Sequence, residues 1–133
     1  MNYYDLKCDK LSGFLCGAML MGYSLDDAWE LLLKSRQGQG ILNGEYLYCE
    51  HREGRVSAED ADRDLGKYFT KNEVVDPDVD SMDLLAEFIE NTKLEFNINY
   101  KDIFNKYSIG KFYKDFGYLL GNYDNKLVRA YLL

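Results

Sequence analysis

The chain has 133 residues, 47% of them hydrophobic, which is enough for one globular domain; 23 acidic against 16 basic side chains leave a net charge of -7. That balance disfavours direct nucleic-acid binding, which relies on Lys and Arg to neutralise phosphates, and suits a partner with a basic surface. Three cysteines without C-x-x-C spacing argue against a disulfide framework or a structural zinc site, and no stretch reaches the roughly 18 apolar residues that span a bilayer.

Leu11, Phe14, Leu15, Ala18 and Met19 recur at helical spacing, so a largely buried helix is predicted over about 9–21, ended by Gly22. The start, MNYYDLKCDK, carries two acids and lacks the character of a secretory leader, so the expected location is the cytoplasm, with reduced thiols. Ser24 with Asp27 forms a capping signature, and Leu25, Ala28, Trp29, Leu32 and Leu33 then mark an amphipathic helix to about Ser35, where RQGQG is expected to break it. GEYLYCEHREGRV, 44–56, reads as a short hairpin or a loop. Ser57 is expected to cap a helix through AEDADRDLGKYF.

An acidic linker, 71–80, follows. Residues 72–92 hold seven acids and no base, whereas 93–133 hold seven bases against four acids. Asp80 or Ser81 is expected to cap a helix whose inward stripe is Leu84, Leu85, Phe88, Ile89 and Thr92. YKDIFNKYS, KFYKDFGYLL and DNKLVRAYLL supply three further short helical segments. The fold expectation is therefore a single mainly α domain with at most a short β-hairpin near 45–56. Leu11, Phe14 and Leu15 align with Leu85, Phe88 and Ile89, so the halves 9–70 and 81–133 are open to reading as a degenerate tandem of helix-turn-helix units.

The segment LLAEFIENTKLEFNINYKDIFNKYSIGKFYKDFGYLL resembles a family of small bacterial helical proteins with a capped aromatic-bearing helix followed by an aromatic-rich stretch. Members are often encoded beside ADP-ribosyltransferase-like toxins. This chain has Leu119-Leu120 and Gly121-Asn122 where that family has a Leu-His pair and a Gln-Gly turn. The resemblance covers about 50 residues and implies a small helical partner protein of the antitoxin kind, with no catalytic residues to carry over.

DPDVDSMDLLAE places Asp76, Asp78, Asp80 and Glu87 at positions 1, 3, 5 and 12 of a calcium loop, but Ser81 stands where the sharp turn needs glycine. Helix capping explains the same letters. Cys49 and His51 lack the further ligands or convergence that a metal or nucleophilic site needs, and Gly38, Gly40 and Gly44 lack the strand and G-K-[ST] of a phosphate loop. Carboxylate pairs such as Glu87 with Glu90 and Asp60 with Asp64 read as solvated helix faces.

The expectation is thus a non-enzymatic protein-binding module without a cofactor, one that neutralises or regulates a protein partner. Asp76, Asp78, Asp80 and Asp83 would steer it to a basic surface, with Tyr113, Tyr118 and Tyr123 as contact anchors. The alternatives are a phage- or plasmid-encoded acidic inhibitor that mimics nucleic acid, and a calcium-binding module.

Overall fold

The computed structural model describes residues 2–122 and 126–133. Among the described residues it contains seven α-helices, a five-residue π-helical turn, three 3-10 turns and no strand. The helices are α1 (Tyr3–Leu20), α2 (Leu25–Lys34), α3 (Arg36–Leu42), α4 (Gly54–Leu65), α5 (Val79–Phe96), α6 (Ile109–Phe116) and α7 (Lys126–Leu132). None is long and apolar enough to cross a membrane. The protein is a small all-helical domain, as its periodicities predict.

α1 is the axis of the fold, with α4 along one side and α5 along another. It starts well before the predicted residue 9, because the Asn2 side chain accepts a hydrogen bond from the Asp5 amide at 2.9 Å and caps it. It ends where Gly22 takes a φ of +99° and its carbonyl accepts from the Asn72 amide at 2.8 Å.

The α1–α4 contact is backbone against backbone. Gly54, Ser57, Ala58 and Ala61 are the buried face of α4, and Gly13 and Gly17 oppose them. A methyl on Gly54 would fall against the Lys10 carbonyl and 2.6 Å from the Phe14 nitrogen, and one on Gly17 would sit 3.0 Å from Arg55 Cα. Side-chain size sets how closely helix axes approach, and here almost nothing separates them. Ser57, expected as a cap, is instead a fully buried member of this face, and α4 begins at Gly54.

Two other segments depart from expectation. RQGQG does not end the helical structure: the Ser35 hydroxyl accepts from the Gly38 amide at 2.9 Å and starts α3. Its glycines admit neighbours, with Gly38 against the Leu32 backbone and Gly40 against the Tyr48 ring. The suggested hairpin at 45–56 is the π-helical turn Leu47–His51 leading into α4.

The core closes on aromatic rings. Phe88 of α5 stacks on Phe112 of α6 at 4.9 Å, Phe104 lies 5.6 Å from Phe112, and Trp29 of α2 meets Phe104 edge-on at 5.4 Å. Such pairs each contribute about 1 kcal/mol beyond burial. In the tandem reading, α1 and α5 are matched eighteen-residue helices, but α2 is matched only by the turn Tyr100–Asp102.

Candidate partner-binding surface

Four contacts fix how α5 lies on α1. Tyr4 bonds to Asn91, Lys7 to Glu90, the Cys8 thiol faces the Ala86 carbonyl, and Ser12 bonds to Asp83. Numbers rise along one helix as they fall along the other, so the pair is antiparallel. Its outer seam collects Asp5 and Asp9 from α1 with Asp83 and Glu87 from α5, around a groove of about 190 Å³ with Cys8 in its wall. Burial pushes the Cys8 thiol up to about 12, so it adds no charge at neutral pH.

Asp76, Asp78 and Asp80 extend this strip beyond the groove, all exposed. Asp78 is the N-cap residue of α5, and its carboxylate accepts from the Ser81 hydroxyl at 3.0 Å, in place of the expected cap at Asp80 or Ser81. Asp80 lies in the first helical turn, where a negative charge meets the positive end of the helix dipole, typically worth about 0.5 kcal/mol on a surface. Asp83 differs in kind: it accepts a 2.5 Å bond from Ser12, which is only 2% exposed, and so ties α5 to α1. The four aspartates share a helix start, but three face solvent and one is also structural.

The tyrosines divide similarly. Tyr118, in the turn Gly117–Leu119, is 77% exposed, whereas Tyr113 on α6 packs partly against the core. Tyr123 lies outside the described residues. Glu87 also borders a second groove of about 260 Å³, shared with Leu84, Asn91, Leu120, Asn122 and Arg129, so toward the C-terminal segment the acidic strip gives way to mixed charge. Tyr107, Phe116 and the exposed Tyr131 form an aromatic cluster there, with centroids 5.7 and 6.2 Å apart. Asp5 and Asp9 carry no sequence signal for this strip, because only the antiparallel register brings them to it.

The other candidate chemistries find little geometry. Residues from Val79 onward are helical, so Asp80 and Glu87 lie two turns apart on α5 and not in a loop. Among the described residues, no three His, Cys, Asp or Glu side chains are grouped so that they would hold a metal ion. Cys49 is buried with its thiol toward the Ile41 carbonyl at 3.6 Å, and burial raises its pKa; His51 is exposed and packs edge-on to Tyr46 at 4.5 Å. Those two side chains do not form a nucleophile and base.

Two further pockets also carry carboxylates. One of about 220 Å³ carries Asp26, Asp27, Glu30 and Lys101 beside Trp29 and Phe104, and one of about 320 Å³ carries Glu73 beside Met19 and Val75. A cleft of about 400 Å³ lies between Leu33, α3 and the end of α5 and has two lysines and no carboxylate in its wall. No family model, no curated protein and no solved structure matches this chain.

Proposed function

We propose that the protein is a non-enzymatic binding module that neutralises or regulates a basic protein partner, in the manner of an antitoxin or immunity protein. The observation that carries this reading is the carboxylate strip: Asp76, Asp78 and Asp80 run into the groove of Asp83, Glu87, Asp5 and Asp9. Packing like charges on one seam opposes folding, while the same field accelerates encounter with an oppositely charged surface. The resemblance of the second half to toxin-associated helical proteins supports the choice of a neutralising role. In this reading the protein works in the cytoplasm, where its three unpaired cysteines remain thiols.

The test starts with capture of the partner on the tagged protein at low and at raised salt, followed by association kinetics with the identified partner. The triple variant Asp76→Asn, Asp78→Asn, Asp80→Asn is expected to slow association about tenfold at low salt and to flatten its salt dependence. Asp83 is left intact because its loss would strand Ser12. Unchanged association of the triple variant removes the steering role. Tyr118→Ala is expected to act on dissociation instead, speeding it about tenfold if this exposed ring is an anchor. A partner that handles nucleic acid and is displaced by DNA or RNA would favour the polyanion-mimic reading over toxin neutralisation.

A further inference from the structure

We infer that the 400 Å³ cavity beside the C-terminal end of α5 is a binding site for a small organic anion, one that carries a phosphate or carboxylate group on an apolar or planar body. Its volume lies in the range of small-molecule sites. Its charge sets it apart in a chain of net charge -7, because Lys93 and Lys101 line it without a carboxylate, whereas each of the four other pockets described above has at least one.

The ammonium groups are available to a ligand. Lys93 sits 5.3 Å from the centre of the Tyr100 ring, held by the π face, and among the described residues no carboxylate lies within ion-pair distance of it or of Lys101, which on its other side borders the pocket of Asp26, Asp27 and Glu30. Cation–π contact positions the charge while leaving its N–H donors unspent. Glu90 is a buried acid beside Tyr100, but its two oxygens are taken by Lys7 at 3.1 Å and by the Tyr100 hydroxyl at 2.5 Å. Burial first, and then the bond to Glu90, raise the Tyr100 pKa, so the wall holds a neutral phenol and no phenolate.

Neutral polar groups complete the rim. Asn99 occupies the N-cap position of the turn Tyr100–Asp102, yet makes no side-chain capping bond, so its amide is uncommitted there. Leu33 and Leu42 form an apolar wall that an inorganic ion would not use. The C-terminal end of α5 opposes an anion with about half a unit of negative charge, against two full positive charges from the lysines. The lysines prevail.

Amide chemical shifts of the full chain, followed during titration with inorganic phosphate, phenyl phosphate and benzoate, test the site. Saturable shifts confined to residues around Asn43, Lys93 and Asn99 to Lys101 are expected. The aromatic probes should bind about tenfold more tightly than inorganic phosphate, the difference made by the apolar wall, and their ranking separates a phosphate from a carboxylate preference. Lys93→Gln with Lys101→Gln should weaken binding at least tenfold, and Lys111→Gln with Lys114→Gln should leave it unchanged. Should Lys93→Gln disturb the fold, Lys101→Gln alone carries the comparison, since Lys101 is exposed. The inference is overturned by three results: no saturable shift with any probe up to about 10 mM, a dissociation constant worth less than roughly 3 kcal/mol; shifts scattered over all lysines; or equal binding by the lysine variants.

Discussion

Gly54→Ala is expected to cost about 3 kcal/mol, the upper part of the range for overpacking a close contact. In a chain of this size that lowers the melting temperature by roughly 10 °C. The added methyl would meet the Lys10 carbonyl and the Phe14 nitrogen, which are backbone atoms of α1 and cannot rotate away. Relief requires α1 and α4 to separate, and that loosens the most extensive helix contact in the fold. Gly117→Ala is the matched control: its nearest new neighbour is the Tyr113 ring at 3.6 Å, an ordinary contact, and its backbone is already helical at φ -55°. Stability within about 0.5 kcal/mol of the parent is expected there, or a slight gain from a stiffer unfolded chain. Thermal unfolding followed by circular dichroism reads both. A Gly54→Ala protein that melts with the parent would mean that α4 does not lie on α1 as tightly as described.

The same glycine shows where sequence reading succeeds and where it stops. Apolar periodicity marks the cores of α1, α2 and α5, and local signals mark Gly22 as a stop and Ser24 as a cap, because those features depend on neighbours in the chain. Propensity counts glycine against a helix, so RQGQG and the stretch before Val56 read as breaks. Both segments are helical because tertiary contacts need the missing side chains: Leu32 and Tyr48 press on α3, and α1 presses on α4. Small residues at 54, 58 and 61 do carry a legible signal, a narrow stripe at helical spacing, but an apolar count gives it little weight.

For the binding surface, the sequence exposes the run Asp76 to Asp83 as acidic. It does not expose its continuation, since Asp5 and Asp9 lie more than 65 residues away and meet Asp83 and Glu87 only through the antiparallel register of α1 and α5. The lysine-lined cavity is further still from view. Lys93 and Lys101 look like ordinary surface charges until Leu33, Gln39 and Asn43 are folded against them.

Glu90→Leu is expected to cost about 3 kcal/mol or more, although it replaces a charged side chain in the interior by an apolar one. Glu90 is 4% exposed, and Lys7 at 3.1 Å has only 14% of its side chain open to water. Truncating one partner leaves the other buried and uncompensated, which costs more than the intact pair contributes. Tyr100 bonds to both, donating to Glu90 and accepting from Lys7 at 2.9 Å, so the cluster clasps α1, α5 and the turn Tyr100–Asp102 together. Lys7→Met in the Glu90→Leu background removes the stranded ammonium. The double variant should therefore lose less than the sum of the two single losses, with a coupling of about 2 kcal/mol. Urea unfolding of the four proteins in the cycle measures it. Additive losses would show that the Lys7 ammonium reaches water when Glu90 is gone, and that the clasp is not what holds the turn. A coupled result has a second consequence, because Tyr100 also forms part of the anion cavity: Glu90→Leu should broaden or shift the amide signals of Asn99 to Lys101 before any global unfolding is seen.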